Sequence, residues 1–514
     1  IIGIGCRFPK ANNYHEFWQL LSKGIDGITE IPKERWNIDE YYDENPETQG
    51  KMNSRHGGFL SQVDGFDPNF FGISPREALL MDPQQRLLLE VAWETIEDAG
   101  ITREQLAGSK TGVFVGIATN DYSRIHAGYS HHPQGYDLTG NCTNIAAGRL
   151  SYLFNLKGPS LAVDTACSSS LVAVHLACQS LWNDESSMAI ASGVNLILSP
   201  IGNIALSKLK ALSPDGRCKT FDESANGYVR SEGVGCIILK PLAQAIADKD
   251  SIYALIRGNA INHDGRSKGL TVPYGPAQES LIRSALKNAE IEPKELNYVE
   301  LHGTGTSLGD PIEAMALGAV LEEGRDKDNP CLVGSVKSNI GHLEAAAGIA
   351  SVIKMALSLK NKQIPPSLHF NKPNPYIPFD KLPLKLQSSL ITWPQQETTA
   401  KGGISSFGFS GTNAHLILEE ANLSHPEPIS LTFPHLLPLS AHSQEAVRDL
   451  AQNYEDFLKD QALTAEFVQN LCYSASARRT HHAHRQAVVV HSHEELLKGL
   501  KELETIDLST QSKP

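Results

Sequence analysis

The sequence has 514 residues, 41% of them hydrophobic and 20% charged, which suits a large buried core and excludes a disordered or fibrous chain. At roughly 150 residues per domain the length predicts two to four domains, or one large two-lobed unit plus an appendage. Lys+Arg 45 against Asp+Glu 58 gives a net charge of −13, which argues against a nucleic-acid or anionic-membrane surface.

Taken in chain order, IIGIGCRFP lacks the basic start of a signal peptide and reads as a buried strand. Residues 75–100 predict one amphipathic helix, with Leu80, Leu87, Val91 and Ile96 near helical spacing and Gly100 as its stop. Apolar, β-branched or glycine-bounded runs at 111–118, 188–198, 253–261, 296–303, 331–337 and 414–420 predict strands. Residues 275–290 predict a helix between two of them, and the proline-rich stretch 364–383 predicts an extended, ordered strap. This alternation predicts α/β layers with buried strands. Composition shifts after Ala421. A strand, a helix begun near Ser440 to Ser443 with Val447, Leu450, Tyr454 and Leu458 on one face, a second short helix, a strand at 486–492 and a helix at 493–503 follow. They predict a separate α/β module of about 90 residues, the rest of the chain forming the larger unit. No apolar run reaches the roughly 18–20 residues of a membrane span.

The eight cysteines show no CxxC and no regular spacing, so a reducing cytoplasm is expected rather than a disulfide framework or zinc ribbon. One cysteine stands apart. In DTACSSSLVAVHLACQSLW, Cys167 lies on the turn entering a helix marked by Leu171, Val174, Cys178 and Leu181. The helix dipole and free N–H groups there predict a favoured thiolate. Ala166, Ser168, Ser169 and Ser170 leave room for an acyl group. Cys6, Cys178, Cys236 and Cys331 sit in apolar patterns and are read as small core hydrophobes.

A thiol nucleophile needs partners. His302 ends a strand before alternating Gly and Thr, with Thr304 and Thr306 offering two hydroxyls on one side. His342 follows Gly341 at the start of an Ala-rich helix, five residues after Lys337. Each histidine alone reads more readily as structural, and a histidine at a strand end beside glycines as structural or functional alike. No HExxH or CxxC accompanies them, so no metal is expected, and the RRTHHAHR cluster at 478–485 is read as a solvated turn. GISSFGFSGTNAH (403–415) is a glycine-rich turn whose N–H groups can form an oxyanion hole. GxxxxGK[ST], GxGxxG and GxSxG are all absent.

DTACSSSL, ELHGTGTSLGDP, KSNIGHLEAAAG and SSFGFSGTNAH, in this order and separation, resemble the β-ketoacyl synthases, and more narrowly the ketosynthase domains of modular type I polyketide synthases. The resemblance covers residues 1–421; residues 422–514 are similar to the linker between such a ketosynthase and a following acyltransferase. No acyltransferase GHSxG serine follows, so the chain looks like a piece of a longer polypeptide. The resemblance implies a thiolase fold, two similar halves in five layers αβαβα, forming a homodimer in the cytoplasm. It implies that Cys167 accepts an acyl chain and that His302 and His342 drive decarboxylation of a malonyl-type extender on acyl carrier protein. The backbone N–H groups of Cys167 and Phe409 would form the oxyanion hole. Thr304 and Thr306 would bind phosphopantetheine. Lys337 would support His342 through a carboxylate, with Glu344 the candidate. The domain itself would bind no cofactor; its partners would be carrier proteins and the downstream acyltransferase, not nucleic acid or membrane.

Leu301 and Cys142 stand where the family commonly has alanine, and both are expected to trim the acyl pocket or dimer seam. A thiolase-like acyltransferase would need a second catalytic cysteine, which SSFGFSGTN lacks. A silent scaffold would need a damaged constellation, and none is visible.

Overall fold

In a computed structural model, described for residues 1–129, 134–325, 328–394, 398–422, 434–459 and 461–505, the chain divides into two units. The first comprises Ile1–Ala99 and Gly108–Asn422, the second Gly100–Ala107 and Leu423–Pro514.

The first unit is built around two large sheets, with two small two-stranded pairings beside them among the described residues. The strands of the five-stranded sheet are β1 (Gly3–Arg7), β2 (Thr111–Gly116), β3 (Ser160–Val163), β4 (Met188–Asn195) and β5 (Gly233–Leu239). Those of the six-stranded sheet are β6 (Ala254–His263), β7 (Tyr298–Glu300), β8 (Cys331–Gly334), β9 (Leu384–Leu386), β10 (Lys401–Phe407) and β11 (Thr412–Glu420). Their spatial orders are β1-β5-β4-β2-β3 and β6-β11-β10-β7-β8-β9. In each, the first two pairings are antiparallel and the rest parallel. Apart from the added edge strand β9, one topology is used twice.

Helices fill three layers. α1 (Pro83–Asp98) and α2 (Thr143–Leu153) cover the outer face of the first sheet, and α4 (Gly275–Ala289) and α5 (Gly309–Leu321) accompany the second. Between the sheets lie α3 (Ser169–Trp182) and α6 (Ala347–Asn361). They share one core with Phe114, Ala191 and Ile237 of the first sheet and Tyr298, Ile404 and Leu416 of the second. α6 is buried on every side from Ala347 to Leu359, as expected of a helix apolar all round. Each buried Leu or Ile here contributes about 1.5–3 kcal/mol. This is the five-layered αβαβα arrangement of a thiolase fold.

The sequence expectation fails at one helix. Residues 75–100 form two segments, Pro75–Leu80 and α1, because Asp82 caps the second by accepting from Gln84 N–H and Pro83 occupies its first turn. In the second unit, β12 (His435–Ala441) and β13 (His484–Val490) pair antiparallel. α7 (Gln444–Lys459), α8 (Ala465–Ala477) and α9 (His493–Thr505) bury Val447, Leu458, Val468, Leu496 and Leu500 against them. A single cut near residue 421 does not describe this unit. Gly100–Ala107 also belongs to it, held by the Arg103 N–H donating to Thr480 Oγ1 at 2.9 Å. Among the described residues, no helix is long and apolar enough to cross a membrane.

Candidate active site

Strand β3 runs into a tight turn before α3. Ala166 takes φ +56°, unusual for a side chain with a Cβ, and Ala166–Ser168 form one 3-10 turn before the α-helix begins at Ser169. Such strain is sustained only where surrounding contacts fix it. Here the Thr165 N–H donates to Ser169 Oγ at 2.9 Å, the Ala166 N–H to Asp164 Oδ1 at 3.0 Å, and Ser169 Oγ to Ala166 O at 2.6 Å. Cys167 is thereby held at the crest of the turn.

The turn between β10 and β11 is tied to this crest. Ser406 Oγ donates to Cys167 O at 2.9 Å and Ser168 Oγ to Thr412 O at 2.8 Å. Gly408 must be glycine, since a Cβ there would lie 2.4 Å from Thr165 O. The docked turn brings the Phe409 N–H, together with that of Cys167, onto the sulfur. Two such donors are what an oxyanion hole requires.

The expected low thiol pKa is not found. Burial, then the nearby Glu344, pushes the Cys167 thiol up to about 11, against the opposing pull of Lys337 and the two N–H groups. Helix entry favours a thiolate, but here desolvation outweighs it.

His302 lies just past β7 and His342 just before α6, their rings 5.6 Å apart and nearly perpendicular. The Phe407 N–H donates to His302 Nδ1 at 3.3 Å and the Glu344 N–H to His342 Nδ1 at 2.9 Å. With each Nδ1 an acceptor, the proton of each neutral ring sits on Nε2. Burial keeps both rings neutral by holding them well below the usual imidazole range. Lys337 and His342 add to this for His302, and Lys337 and Arg230 for His342.

Carboxylates behind the histidines fix their loops. Glu313, on α5, accepts the N–H groups of His302 at 2.7 Å and Gly303 at 2.8 Å. Asp310, one turn earlier, accepts those of Phe221 at 2.8 Å and Gly305 at 3.1 Å. Burial raises the pKa of both. Glu300 accepts the Val336 N–H at 2.5 Å and the Tyr298 hydroxyl at 2.7 Å, and stands 2.6 Å from Lys354 Nζ in a fully buried pair. One carboxylate therefore joins the strand before His302 to the segment before His342.

The suggested Lys337–Glu344 pairing is not present. Glu344 is held bidentately by Arg230, Nε to Oε1 at 2.6 Å and Nη2 to Oε2 at 2.8 Å. Lys337 is buried and faces the charges of Glu300 and Glu313 instead; burial lowers its pKa while these two raise it. The fork of a guanidinium matches a carboxylate better than a lysine does.

Cys167, His302, His342, Thr304, Thr306, Glu344 and Phe409 share one cavity of about 570 Å³. Thr304 and Thr306 hydroxyls are 3.2 Å apart. Leu301 is not on its wall but in the core between the second sheet and its helices. Cys142 is exposed between α2 and the preceding helix, and it does not line the cavity either. Sequence reasoning missed Glu300, Glu313 and Arg230. Glu313 follows Asp310 at helical spacing directly after the HGTGT run, a signal that was available; Arg230 and Glu300 carried none. Cys6, Cys178, Cys236 and Cys331 are buried, as expected. Among the described residues no cluster suits a metal ion.

Residues 1–245 match the family described as beta-ketoacyl synthase, N-terminal domain, and residues 253–371 its C-terminal domain. Residues 373–489 match a ketoacyl-synthetase C-terminal extension. The chain belongs to the β-ketoacyl synthase family. Within it, this ketosynthase is 39% identical to the ketosynthase from module 6 of the bacillaene synthase of Bacillus subtilis 168, with a TM-score of 0.90 covering 100% of this chain and 86% of that one. The oxazolomycin ketosynthase domain of Streptomyces albus JA3453 is 38% identical, with a TM-score of 0.90 over 98% of this chain and 88% of that chain. A phenolphthiocerol/phthiocerol polyketide synthase of Mycobacterium tuberculosis is 45% identical over 506 residues, 98% of this chain. The ketosynthase spans only 28% of that relative's length. It is thus a ketosynthase of the polyketide synthase type, an acyltransferase-class enzyme whose family elongates acyl chains by decarboxylative Claisen condensation.

Proposed function

We propose that this ketosynthase elongates a polyketide chain through a thioester on Cys167, using a malonyl-type extender carried on the phosphopantetheine of an acyl carrier protein. The observation that carries the reading is the pair of neutral imidazoles with their Nδ1 atoms occupied, which leaves two Nε2–H donors facing the cavity of the thiol.

In the first step the Cys167 sulfur attacks the carrier thioester. With the thiol resting protonated, its proton ends on the departing pantetheine sulfur, so no charged base is needed. The extender's thioester carbonyl then lies against the two Nε2–H groups. Loss of CO₂ moves the electron pair onto that carbonyl as an enolate, which both donors stabilise. The enolate carbon attacks the acyl carbonyl, and the N–H groups of Cys167 and Phe409 hold the oxyanion. Cys167 leaves as a thiolate, eased by Lys337, and regains a proton from solvent. Thr304 and Thr306 hydrogen-bond the pantetheine arm.

Residues beyond 422 act as the adaptor to an acyltransferase, supported by the extension-family match and by their own core. The ketosynthase works in the cytoplasm as a homodimer: among the described residues β3 is an edge strand with a partner on one side only, and its Leu161 and Tyr152 of the adjoining α2 are exposed. The test is incubation with an N-acetylcysteamine acyl thioester followed by intact mass. A single acyl adduct, absent in Cys167→Ala, is expected; an adduct surviving in that variant overturns the assignment.

A further inference from the structure

Tyr228 is a wall residue of the catalytic cavity that the reaction above does not use. Its ring packs on His342, centroids 5.0 Å apart. Its backbone is pinned on both sides. The Tyr228 N–H donates to Ala211 O at 3.0 Å and the Ser213 N–H to Tyr228 O at 2.8 Å. The next residues run beside His342, whose N–H donates to Val229 O at 2.8 Å while Ser231 N–H donates to His342 O at 2.9 Å. The phenol is therefore fixed relative to the catalytic imidazole.

Its hydroxyl makes no hydrogen bond to any described residue, yet Glu344 and Cys167 are near enough to influence its titration. Burial and those two neighbours raise its pKa, so it remains a donor. The same cavity is lined by apolar Ala118, Leu206, Leu209 and Val272 and by polar Thr119 and Thr271. A fixed phenol donor with no protein partner among the described residues is available to an acceptor on a bound chain. A ligand that offers the acceptor is then favoured over one that lacks it.

We propose that Tyr228 is a specificity-determining residue whose hydroxyl donates to an oxygen substituent on the first carbons of the acyl chain, so that the site prefers oxygenated chains to saturated ones. The inference rests on Cys167 being the acylated residue. Its test compares self-acylation of the whole chain by the N-acetylcysteamine thioesters of 3-hydroxybutanoate and butanoate, for the wild type and Tyr228→Phe, by intact mass. The wild type is expected to favour the hydroxyl thioester, and the hydroxyl-to-saturated rate ratio is expected to fall about 3- to 10-fold in Tyr228→Phe, the range of one net hydrogen bond. An unchanged ratio overturns the proposal, whether both rates fall or neither does. A loss confined to CO₂ release from malonyl carrier protein also overturns it, since the phenol would then serve the extender. Failure of both thioesters to acylate Cys167 overturns the functional reading instead.

Discussion

The two halves of the catalytic unit build the same turn and use it differently. In the first, Ala166 at φ +56° opens a 3-10 turn that leads into α3; in the second, Glu344 at φ +48° opens a 3-10 turn that leads into α6. The residue after the strained position is Cys167 in one case and Ala345 in the other, and both line the cavity. The strand ends differ as well. Two residues past β2 lies Ala118; two past β7 lies His302. Gly116 ends β2 because a Cβ there would meet Ser170 N at 2.5 Å, whereas the end of β7 carries Glu300 and reaches Lys354. A duplicated scaffold thus supplies geometry twice, and the proposed chemistry is divided: the nucleophile from one half, the hydrogen-bond donors from the other.

The largest effect comes from breaking that division. Cys167→Ala should lower condensation by at least about 10³-fold, the scale for removing a nucleophile, and adding Ala345→Cys should not restore it. The second turn offers a thiol in the same cavity but not the Phe409 N–H. Intact mass with an acyl thioester reads this directly; an adduct on the introduced thiol of the double variant would mean that the turn alone suffices. Next, His302→Gln and His342→Gln should each lower CO₂ release from malonyl carrier protein by about 10²–10³-fold, as loss of one oxyanion donor does. Acylation of Cys167 should fall far less, because the donors belong to the second step. Equal losses in both steps would show that the histidines serve the thiol instead.

Much of this division was legible beforehand, and for a physical reason. Cys167, His302, His342 and Phe409 sit on turns at strand and helix ends, where short glycine-rich or small-residue patterns are local and readable. The residues that hold them were not. Arg230 meets Glu344 across 114 positions and Glu300 meets Lys354 across 54; pairings of that range depend on the folded layers. The thiol pKa failed for the same cause, since helix entry is local while burial is a property of the whole cavity.

Glu300 sharpens the comparison at the level of stability. Glu300→Gln leaves the Lys354 ammonium buried without its counter-charge, which should cost about 3–5 kcal/mol in urea unfolding of the catalytic unit. Glu300→Gln with Lys354→Met removes both charges and should recover most of that loss. The double variant still lacks the carboxylate that ties Val336 to β7, so its malonyl decarboxylation should stay below wild type while Cys167 acylation recovers. Full recovery of both activities would reduce Glu300 to a partner for Lys354.

The smallest expected effect is a pH dependence, and it too lies in the second half. His302, His342 and His415 all belong to that half and are all lowered by burial, His415 to about 3. An unfolded histidine titrates near 6.5. Between about 6.5 and 3 the unfolded chain therefore binds a proton at His415 that the native state refuses, so stability is fully present above 6.5 and is lost as pH falls through this window. The raised carboxyls of Asp310 and Glu313 act with the opposite sign, since the native state takes up their protons first. Wild-type unfolding alone mixes the two. The difference between wild type and His415→Gln isolates the imidazole: between pH 7 and 5 the wild type should lose about 1–2 kcal/mol more than the variant. Equal losses would mean that His415 is solvated enough to titrate normally, and that the interface between β10 and β11 is wetter than its packing against Ser405 and Gly403 implies.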